Sequence, residues 1–160
     1  MKDGKAKPVV AADVAPRVKP SVYPEPFKSR MQGRTKRQLG EVFGIKNFGV
    51  NLTTLHPGGE SALFHKHAKQ DEFIYVVSGR PTLITEEGEF ELSPGMCAGF
   101  PAQGTAHQLV NRSKSDVVYL EVGDRTPGDE AVYPRDDLKA QLSPDGKWLF
   151  TRKNGVPYEE

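Results

Sequence analysis

GESALFHKHAKQDEFIYVVSG, residues 59–79, is the stretch that decides the fold. Its two histidines, His65 and His67, stand two positions apart, and Glu72 follows five residues after the second. The run EFIYVVS is rich in β-branched and aromatic residues and stops at Gly79, which is typical of a β-strand that ends in a turn. Residues two apart in a strand project from the same face. The two imidazoles could therefore converge on one ion, to which Glu72 could add an anionic oxygen.

Outward from this stretch, short apolar runs alternate with glycine- and proline-containing turns. Strands this short predict an all-β sandwich or barrel. A last strand is expected in KWLFTRK (147–153), and RDDLKAQLS (135–143) is the only helix candidate. The other predicted strands are 48–55, 62–67, 72–78, 81–87, 89–93, 96–100, 106–111 and 117–123.

The first 35 residues have a different character. Proline recurs at positions 8, 16, 20, 24 and 26, which predicts an extended N-terminal arm. The arm could be loose, could lie across a neighbouring subunit, or could pack as an edge segment through Val22, Tyr23 and Phe27. We therefore divide the chain into an arm, 1–35, and one barrel domain with a C-terminal extension, 36–160, whose central motifs span 59–111.

Composition excludes several classes of function. The chain has 160 residues and a formal net charge of +1, so no basic excess favours binding to nucleic acid or to an anionic membrane. No apolar run approaches the roughly 20 residues that span a bilayer, and the N-terminus is too polar for a signal peptide. Cys97 is the single cysteine, which excludes an internal disulfide and fits a reducing compartment. We expect a cytoplasmic protein, with Cys97 either facing the barrel interior or buried as a small apolar residue.

The fourth candidate ligand is His107, on a later predicted strand that a barrel would bring round to the other three. Three neutral imidazoles leave the charge of a metal ion uncompensated, so the Glu72 carboxylate matters electrostatically. The alternative is that each histidine is an ordinary surface or core residue with a satisfied hydrogen bond. Spacing alone leaves both interpretations open.

Two motifs carry a resemblance to a known family. The first reads Gly59-x5-His65-x-His67-x4-Glu72-x6-Gly79, and the second reads Gly95-x5-Pro101-x2-Gly104-x2-His107-x3-Asn111. They resemble the two signature motifs of the cupin superfamily. The second has one residue more than usual between Pro101 and Gly104, which should change the shape of a turn rather than the placement of a ligand.

This resemblance implies a small double-stranded β-helix, a jelly-roll-like barrel, whose mouth holds one divalent metal ion through His65, His67, Glu72 and His107. Such a donor set suits iron, manganese, zinc, nickel or cobalt. A wider likeness, to single-domain bacterial cupins loosely described as sugar-phosphate-isomerase-like, implies an enzyme acting on a small polar molecule by isomerase, epimerase or dioxygenase chemistry. A non-catalytic binding or sensing module is the alternative. Cupins commonly cover their sheet edges by dimerising, so a homodimer is expected.

Several neighbouring residues also receive predictions. An isomerase needs a general acid or base, for which Tyr75, Tyr119, Glu121 and Lys66 are titratable candidates, and a phosphorylated substrate needs an inward-facing Arg or Lys.

The remaining predictions concern packing and turns. Ile74 and Val76 should share the side of the sheet that carries the metal. Asn111 is expected to brace a turn, and His56 to lie exposed in one. Positive φ angles are expected at Gly59, Gly79 and Gly95.

Overall fold

The structure, a computed structural model, describes residues 7–159. Within them, short β-strands account for almost all the regular structure, and no helix is long and apolar enough to cross a membrane. The helical elements are two 3₁₀ helices, Ala11–Asp13 and Lys28–Gly33, and the α-helix α1, Leu39–Phe43. The strands are β1 Arg34–Gln38, β2 Phe48–Leu55, β3 Lys66–His67, β4 Glu72–Ser78, β5 Thr82–Thr85, β6 Gly88–Glu91, β7 Cys97–Phe100, β8 His107–Val110, β9 Val117–Asp124, β10 Glu130–Val132, β11 Lys139–Leu142 and β12 Trp148–Thr151.

All strand pairs are antiparallel, which confirms the predicted all-β class. The strands form a five-stranded sheet in the order β1-β2-β9-β4-β7, a four-stranded sheet β12-β11-β10-β3 and a three-stranded sheet β6-β5-β8. An isolated bridge between His65 and His107 joins the two smaller sheets. The fold therefore closes at the two histidines that the motifs place far apart in the sequence.

Burial along β4 follows the period of a strand. Ile74 and Val76 are buried, whereas Phe73, Tyr75 and Val77 are exposed. Because alternate side chains point to opposite faces, the first pair enters the interior, as predicted. There they join the main core cluster, which comprises Leu55, Leu83, Leu92, Phe100, Leu109, Val117 and Tyr119.

The helix predicted over 135–143 is wrong. The chain makes a turn and then forms β11, and Leu138 and Ala140 are buried while Gln141 is exposed. Leu138, Ala140 and Leu142 are spaced by two, a strand period that the flanking charges concealed. The four-residue spacing of Leu138 and Leu142, which fits a helix, fits a strand equally well because four is a multiple of two.

The N-terminal segment packs on its own domain. The backbone N–H of Arg17 donates to the carbonyl of Lys36 at 2.7 Å, so the segment lies along the edge of β1. Phe27 and Met31 are buried in a second core cluster with Leu63, Leu138, Tyr133 and the two buried alanines of β10 and β11. Of the three alternatives, the structure favours the packed segment, with Tyr23 and Phe27 but not the exposed Val22 as its apolar contacts.

The conformation predicted for one glycine needs correction. Gly79 and Gly95 have the predicted positive φ, but at the first turn the left-handed residue is Gly58 rather than Gly59. Gly59 is required by close packing, since a Cβ there would lie 2.3 Å from the carbonyl oxygen of Gly33.

Cys97 is exposed, so neither predicted placement of its side chain is correct. In β7, Phe100 is buried and Ala98 packs against the main core, so the alternation of the strand turns Cys97 outward.

Candidate metal centre

Three chain segments bring the predicted ligands together. His65 and His107 exchange both backbone hydrogen bonds, at 3.2 and 2.9 Å, which makes them a directly opposed pair between antiparallel segments. His67 lies in β3, two residues after His65 and paired with Ala131 of β10. Glu72 begins β4, on the other side of the barrel mouth.

All three imidazoles direct Nε2 at one carboxylate oxygen. The distances to Glu72 Oε1 are 3.1 Å from His65, 2.7 Å from His67 and 3.7 Å from His107. His65, His67 and Glu72 form a group whose ligand atoms lie within 4.8 Å of one another, compatible with holding a metal ion. His107 approaches the same oxygen from the opposed strand, so the structure gathers all four predicted side chains.

The other ring nitrogen of each histidine has its own partner. Nδ1 of His65 lies 2.7 Å from the Leu63 carbonyl oxygen, and Nδ1 of His107 lies 3.3 Å from that of Thr105. Nδ1 of His67 lies 2.5 Å from Asp129 Oδ2. Because these oxygens accept hydrogen bonds, each ring would keep its proton on Nδ1 and present the Nε2 lone pair to a bound metal ion. The donor set therefore fits a divalent transition metal.

An aromatic ring packs against each imidazole. Phe100 stacks on His107 with centroids 3.6 Å apart and an interplanar angle of 5°. Tyr133 stacks on His65 at 5.9 Å, and Trp148 meets His67 edge-on at 6.0 Å. These contacts, together with the Nδ1 hydrogen bonds, fix the orientation of all three rings.

The charges at the centre are strongly coupled. Burial raises the pKa of Glu72, but hydrogen bonds from His107, His65 and His67 outweigh it and hold the pKa well below its ordinary value. Burial lowers the pKa of His67, yet Glu72 and Asp129 on its two sides raise that pKa to about 9 when no cation competes for the ring. The centre therefore favours positive charge at the position that the three Nε2 atoms surround.

A cavity of about 370 Å³ opens from this centre into the barrel. Arg34 and Lys36 line it from β1, which meets the condition that a phosphorylated substrate requires. Of the four titratable candidates, Tyr119 and Glu121 line the cavity. Tyr75 points to the outer face and Lys66 lies outside the cavity lining.

Glu121 is the centre of a polar network on the cavity wall. Its Oε1 accepts hydrogen bonds from Asn51 and Thr53, both at 3.1 Å, and lies 2.7 Å from Lys36 Nζ. Tyr119 donates its hydroxyl proton to Oε2 at 3.3 Å. Burial raises the pKa of Glu121, but the charge of Lys36 and the hydrogen bonds from Lys36 and Asn51 hold it below its ordinary value, so the group is a carboxylate at neutral pH.

The turns near the site behave as predicted. Asn111 is buried and its amide donates to the carbonyls of Leu55 and Ser115, both at 2.8 Å. His56 is exposed and lies 3.1 Å from Asp116. In the second motif, Gln103 adopts a left-handed φ of 62° and its N–H donates to the carbonyl of His67 at 2.8 Å. The extra residue therefore shapes a turn that supports a ligand segment.

Sequence reasoning missed the residues that support the ligands. Asp129 lies in a loop whose residue pattern gives no sign of its fully buried carboxylate, which also accepts the N–H of Lys69 at 2.7 Å. Arg34 and Lys36, which line the cavity, could have been found from the sequence, because two cations spaced by two in an extended segment share one face.

Residues 51–123 match the family model described as a cupin domain. No curated protein matches the chain. Among solved structures, the chain is similar to a sugar phosphate isomerase from a cupin superfamily of Silicibacter pomeroyi, with 39% identity over 96% of this chain and 97% of that chain and a TM-score of 0.88.

Two further solved structures are similar. A putative sugar phosphate isomerase from Acidithiobacillus ferrooxidans has 28% identity over 82% of this chain and 92% of that chain, with a TM-score of 0.71. A polyketide cyclase from Streptomyces resistomycificus has 23% identity over 74% of this chain and 78% of that chain, with a TM-score of 0.60. The last likeness concerns the fold alone.

Asp129→Asn tests how the second nitrogen of His67 is controlled. An amide NH₂ facing Nδ1 makes that nitrogen an acceptor, which moves the ring proton to Nε2 and blocks metal binding there. Because the amide oxygen can still accept the N–H of Lys69, the fold should persist. We expect metal affinity to fall about 10- to 100-fold, measured by competition with a chromogenic chelator. Asp137→Asn, at an exposed carboxylate, is the control. Unchanged affinity in Asp129→Asn would refute the role of Asp129.

Proposed function

Since the chain belongs to the cupin superfamily, we propose that it is a metal-dependent isomerase of a small phosphorylated sugar. One observation carries the proposal. The same cavity contains the histidine–glutamate centre, the carboxylate of Glu121 and the cations Arg34 and Lys36. The histidine–glutamate centre would hold the metal, Glu121 would move the proton, and the two cations would bind the phosphate group. The 39% identical relative from Silicibacter pomeroyi bears the name of a sugar phosphate isomerase, which supports the same reaction class.

We propose that His65, His67, Glu72 and His107 hold one divalent ion of iron, manganese, zinc, nickel or cobalt. Such an ion supplies Lewis acidity toward the oxygen atoms of a substrate. The three Nδ1 hydrogen bonds keep the ligand rings in the required tautomer. The buried setting of His65 and His107 excludes bulk water from their side of the centre.

Glu121 is the residue best placed to transfer a proton. Glu72 pairs with Gly123 on β9, and Glu121 lies two residues along the same strand, on the same inner face. Diagonal neighbours of this kind are about 7–8 Å apart between Cα atoms. A carbon chain bound at the metal centre can therefore also contact Glu121. The carboxylate is ionised and can accept a proton, while Lys36, at 2.7 Å, stabilises its charge and can hydrogen-bond a substrate oxygen.

Metal retention tests the ligand set. His67→Ala and His107→Ala should each lose the metal that copurifies with the wild-type protein, measured by elemental analysis. Their melting temperatures should also fall, because a ligand present at 100 times its Kd stabilises the folded state by about 2.7 kcal/mol. His56→Ala is the matched control, since His56 is exposed, lies outside the centre, and contacts the side chains of Thr35 and Asp116 instead. Full metal content in His107→Ala would remove that residue from the ligand set.

Proton exchange tests the reaction class. Incubated in D₂O with a panel of aldose and ketose phosphates, the protein should place solvent deuterium on the carbon next to the carbonyl and form the isomer, both detected by NMR. Glu121→Gln should lower this rate at least about 100-fold while keeping its metal, and the exposed Glu89→Gln should match the wild type.

Other outcomes of that experiment would contradict the proposal that the protein is an isomerase. Saturable binding of sugar phosphates without exchange would indicate a binding or sensing module. Consumption of O₂ by an iron-loaded protein, without exchange, would indicate dioxygenase chemistry.

We also propose that the protein is a homodimer, in the cytoplasm, joined through the outer face of the five-stranded sheet. Phe73, Tyr75 and Val77 are 42%, 42% and 46% exposed on this face. Strand pairing sets Val122 beside Phe73 and Leu120 beside Tyr75, so the exposed side chains are continuous with further apolar residues. A contiguous apolar face of this kind typically marks an interface.

Tyr75→Glu should convert the dimer into a monomer, measured by light scattering after size-exclusion chromatography, because the new charge would be buried without a partner. Leu149→Glu, at an exposed leucine of β12, should remain dimeric. A monomeric wild-type protein at micromolar concentration would contradict the interface.

A further inference from the structure

A second cavity, of about 280 Å³, lies between the N-terminal segment and β1. Its walls come from residues within 17–21 and 25–32 and from Arg34 and Lys36. Four residues line both this cavity and the one at the metal centre, namely Arg17, Ser21, Arg34 and Lys36. The two cavities therefore share a wall, and two cations of that wall belong to β1.

The second cavity is strongly cationic. One carboxylate, Glu25, lines it among the described residues, and its Oε2 already accepts the Ser29 hydroxyl proton at 2.8 Å. The cations that line it are Arg17, Lys19, Lys28, Arg34 and Lys36, of which Lys36 is already paired with Glu121. A concave surface lined by one sign of charge focuses its field on ions of the opposite sign. The potential in this cavity therefore favours an anion.

The backbone places these cations. Arg34 and Lys36 are two apart in β1 and so share one face, the face on which their β2 partners Leu55 and Thr53 are buried. The hydrogen bond from Arg17 N–H to the Lys36 carbonyl holds the N-terminal segment against the strand. A second hydrogen bond, from Arg37 Nη1 to the Val14 carbonyl oxygen at 2.5 Å, holds the N-terminal segment against β1 three residues before Arg17. These bonds hold the segment that carries Arg17 against the strand that carries Arg34 and Lys36.

The two arginines keep donors for a ligand. Arg34 donates through Nη1 to the carbonyl of Ser61, and Arg17 donates through Nη2 to that of Pro20 at 3.3 Å. A guanidinium carries five N–H donors in a planar fork that matches phosphate oxygens. Neither arginine forms a salt bridge among the described residues, so their charge is not cancelled by a carboxylate.

We propose that the second cavity is an anion subsite that binds the phosphate group of the substrate, while the cavity at the metal centre holds the carbon chain. The identity of the substrate rests on the proposed isomerase function, whereas anion binding by itself does not. Lys36 lies at the junction, since it contacts Glu121 on one side and lines the second cavity on the other. A phosphate bound there would leave the rest of the substrate to extend past Lys36 into the cavity that Glu121 and the histidines line.

Inorganic phosphate is the first probe, titrated calorimetrically into the protein with its metal bound. Lys28→Gln, which changes only the second cavity, and Arg17→Gln, which changes the shared wall, should each weaken phosphate binding at least about tenfold, as expected for loss of a charged hydrogen bond. Arg80→Gln is the control, because Arg80 is an exposed cation that lines neither cavity and pairs with Glu91. Circular dichroism spectra should be the same for all variants.

His67→Ala separates the subsite from the metal centre. If phosphate binds in the second cavity, this variant should retain phosphate binding within about twofold. If His67→Ala abolishes binding and Lys28→Gln leaves it unchanged, phosphate is held by the metal and the subsite is refuted. Absence of saturable phosphate binding to the wild type at millimolar concentration would refute it too.

A competition experiment distinguishes substrate phosphate from a free regulatory anion. A sugar phosphate that undergoes exchange should displace inorganic phosphate, and Arg17→Gln should raise its KM with little change in kcat. Simultaneous binding of both would refute a substrate subsite. Phosphate binding through Lys28 without any turnover would leave the subsite standing and the isomerase refuted. If the wild type converts a sugar phosphate and neither Arg17→Gln nor Lys28→Gln changes the KM, the isomerase stands and the subsite is refuted.

Discussion

The paired backbone hydrogen bonds between His65 and His107 are the contact on which the rest of the site depends. They join the two smaller sheets, and they set two ligand imidazoles side by side with ring centroids 4.8 Å apart. In antiparallel pairing, a shift of one residue turns every side chain to the opposite face. The backbone pairing that joins these sheets therefore also places two of the four candidate ligand side chains.

The interior balances its charges in two separate groups. At the candidate metal centre, the carboxylates of Glu72 and Asp129 flank the ring of His67, and their two negative charges match the charge of a divalent cation. Farther along β9, Glu121 is matched by Lys36 at 2.7 Å. Burying an unpaired charge costs several kcal/mol, so each group must contain its own compensation. This separation leaves Glu121 free of the metal centre although both line one cavity.

The sequence predicts best where a local period decides the structure. The bounds of β2 and β4 agree with the predicted ones because each is a run of apolar and β-branched residues that stops at a glycine-containing turn, and the candidate ligand residues come from motifs of fixed spacing. β1, β10 and β11 were missed because their sequences are charged and short and pairing partners supply their stability. Asp129 could not be predicted, since its role depends on a loop meeting His67 across 62 positions.

The cations that we propose to bind the phosphate of the substrate lie in a different part of the chain than the candidate metal centre. The family match covers residues 51–123, which contain the four ligand residues and Glu121. Arg17, Arg34 and Lys36 all lie before it, on the N-terminal segment and β1. In this chain the segment is fastened to β1 by the backbone hydrogen bond from Arg17 and buried through Phe27 and Met31. The backbone that carries Arg17 is consequently held against the domain at both of these points, so that its guanidinium lies beside the β1 cations Arg34 and Lys36 in the cavity lining.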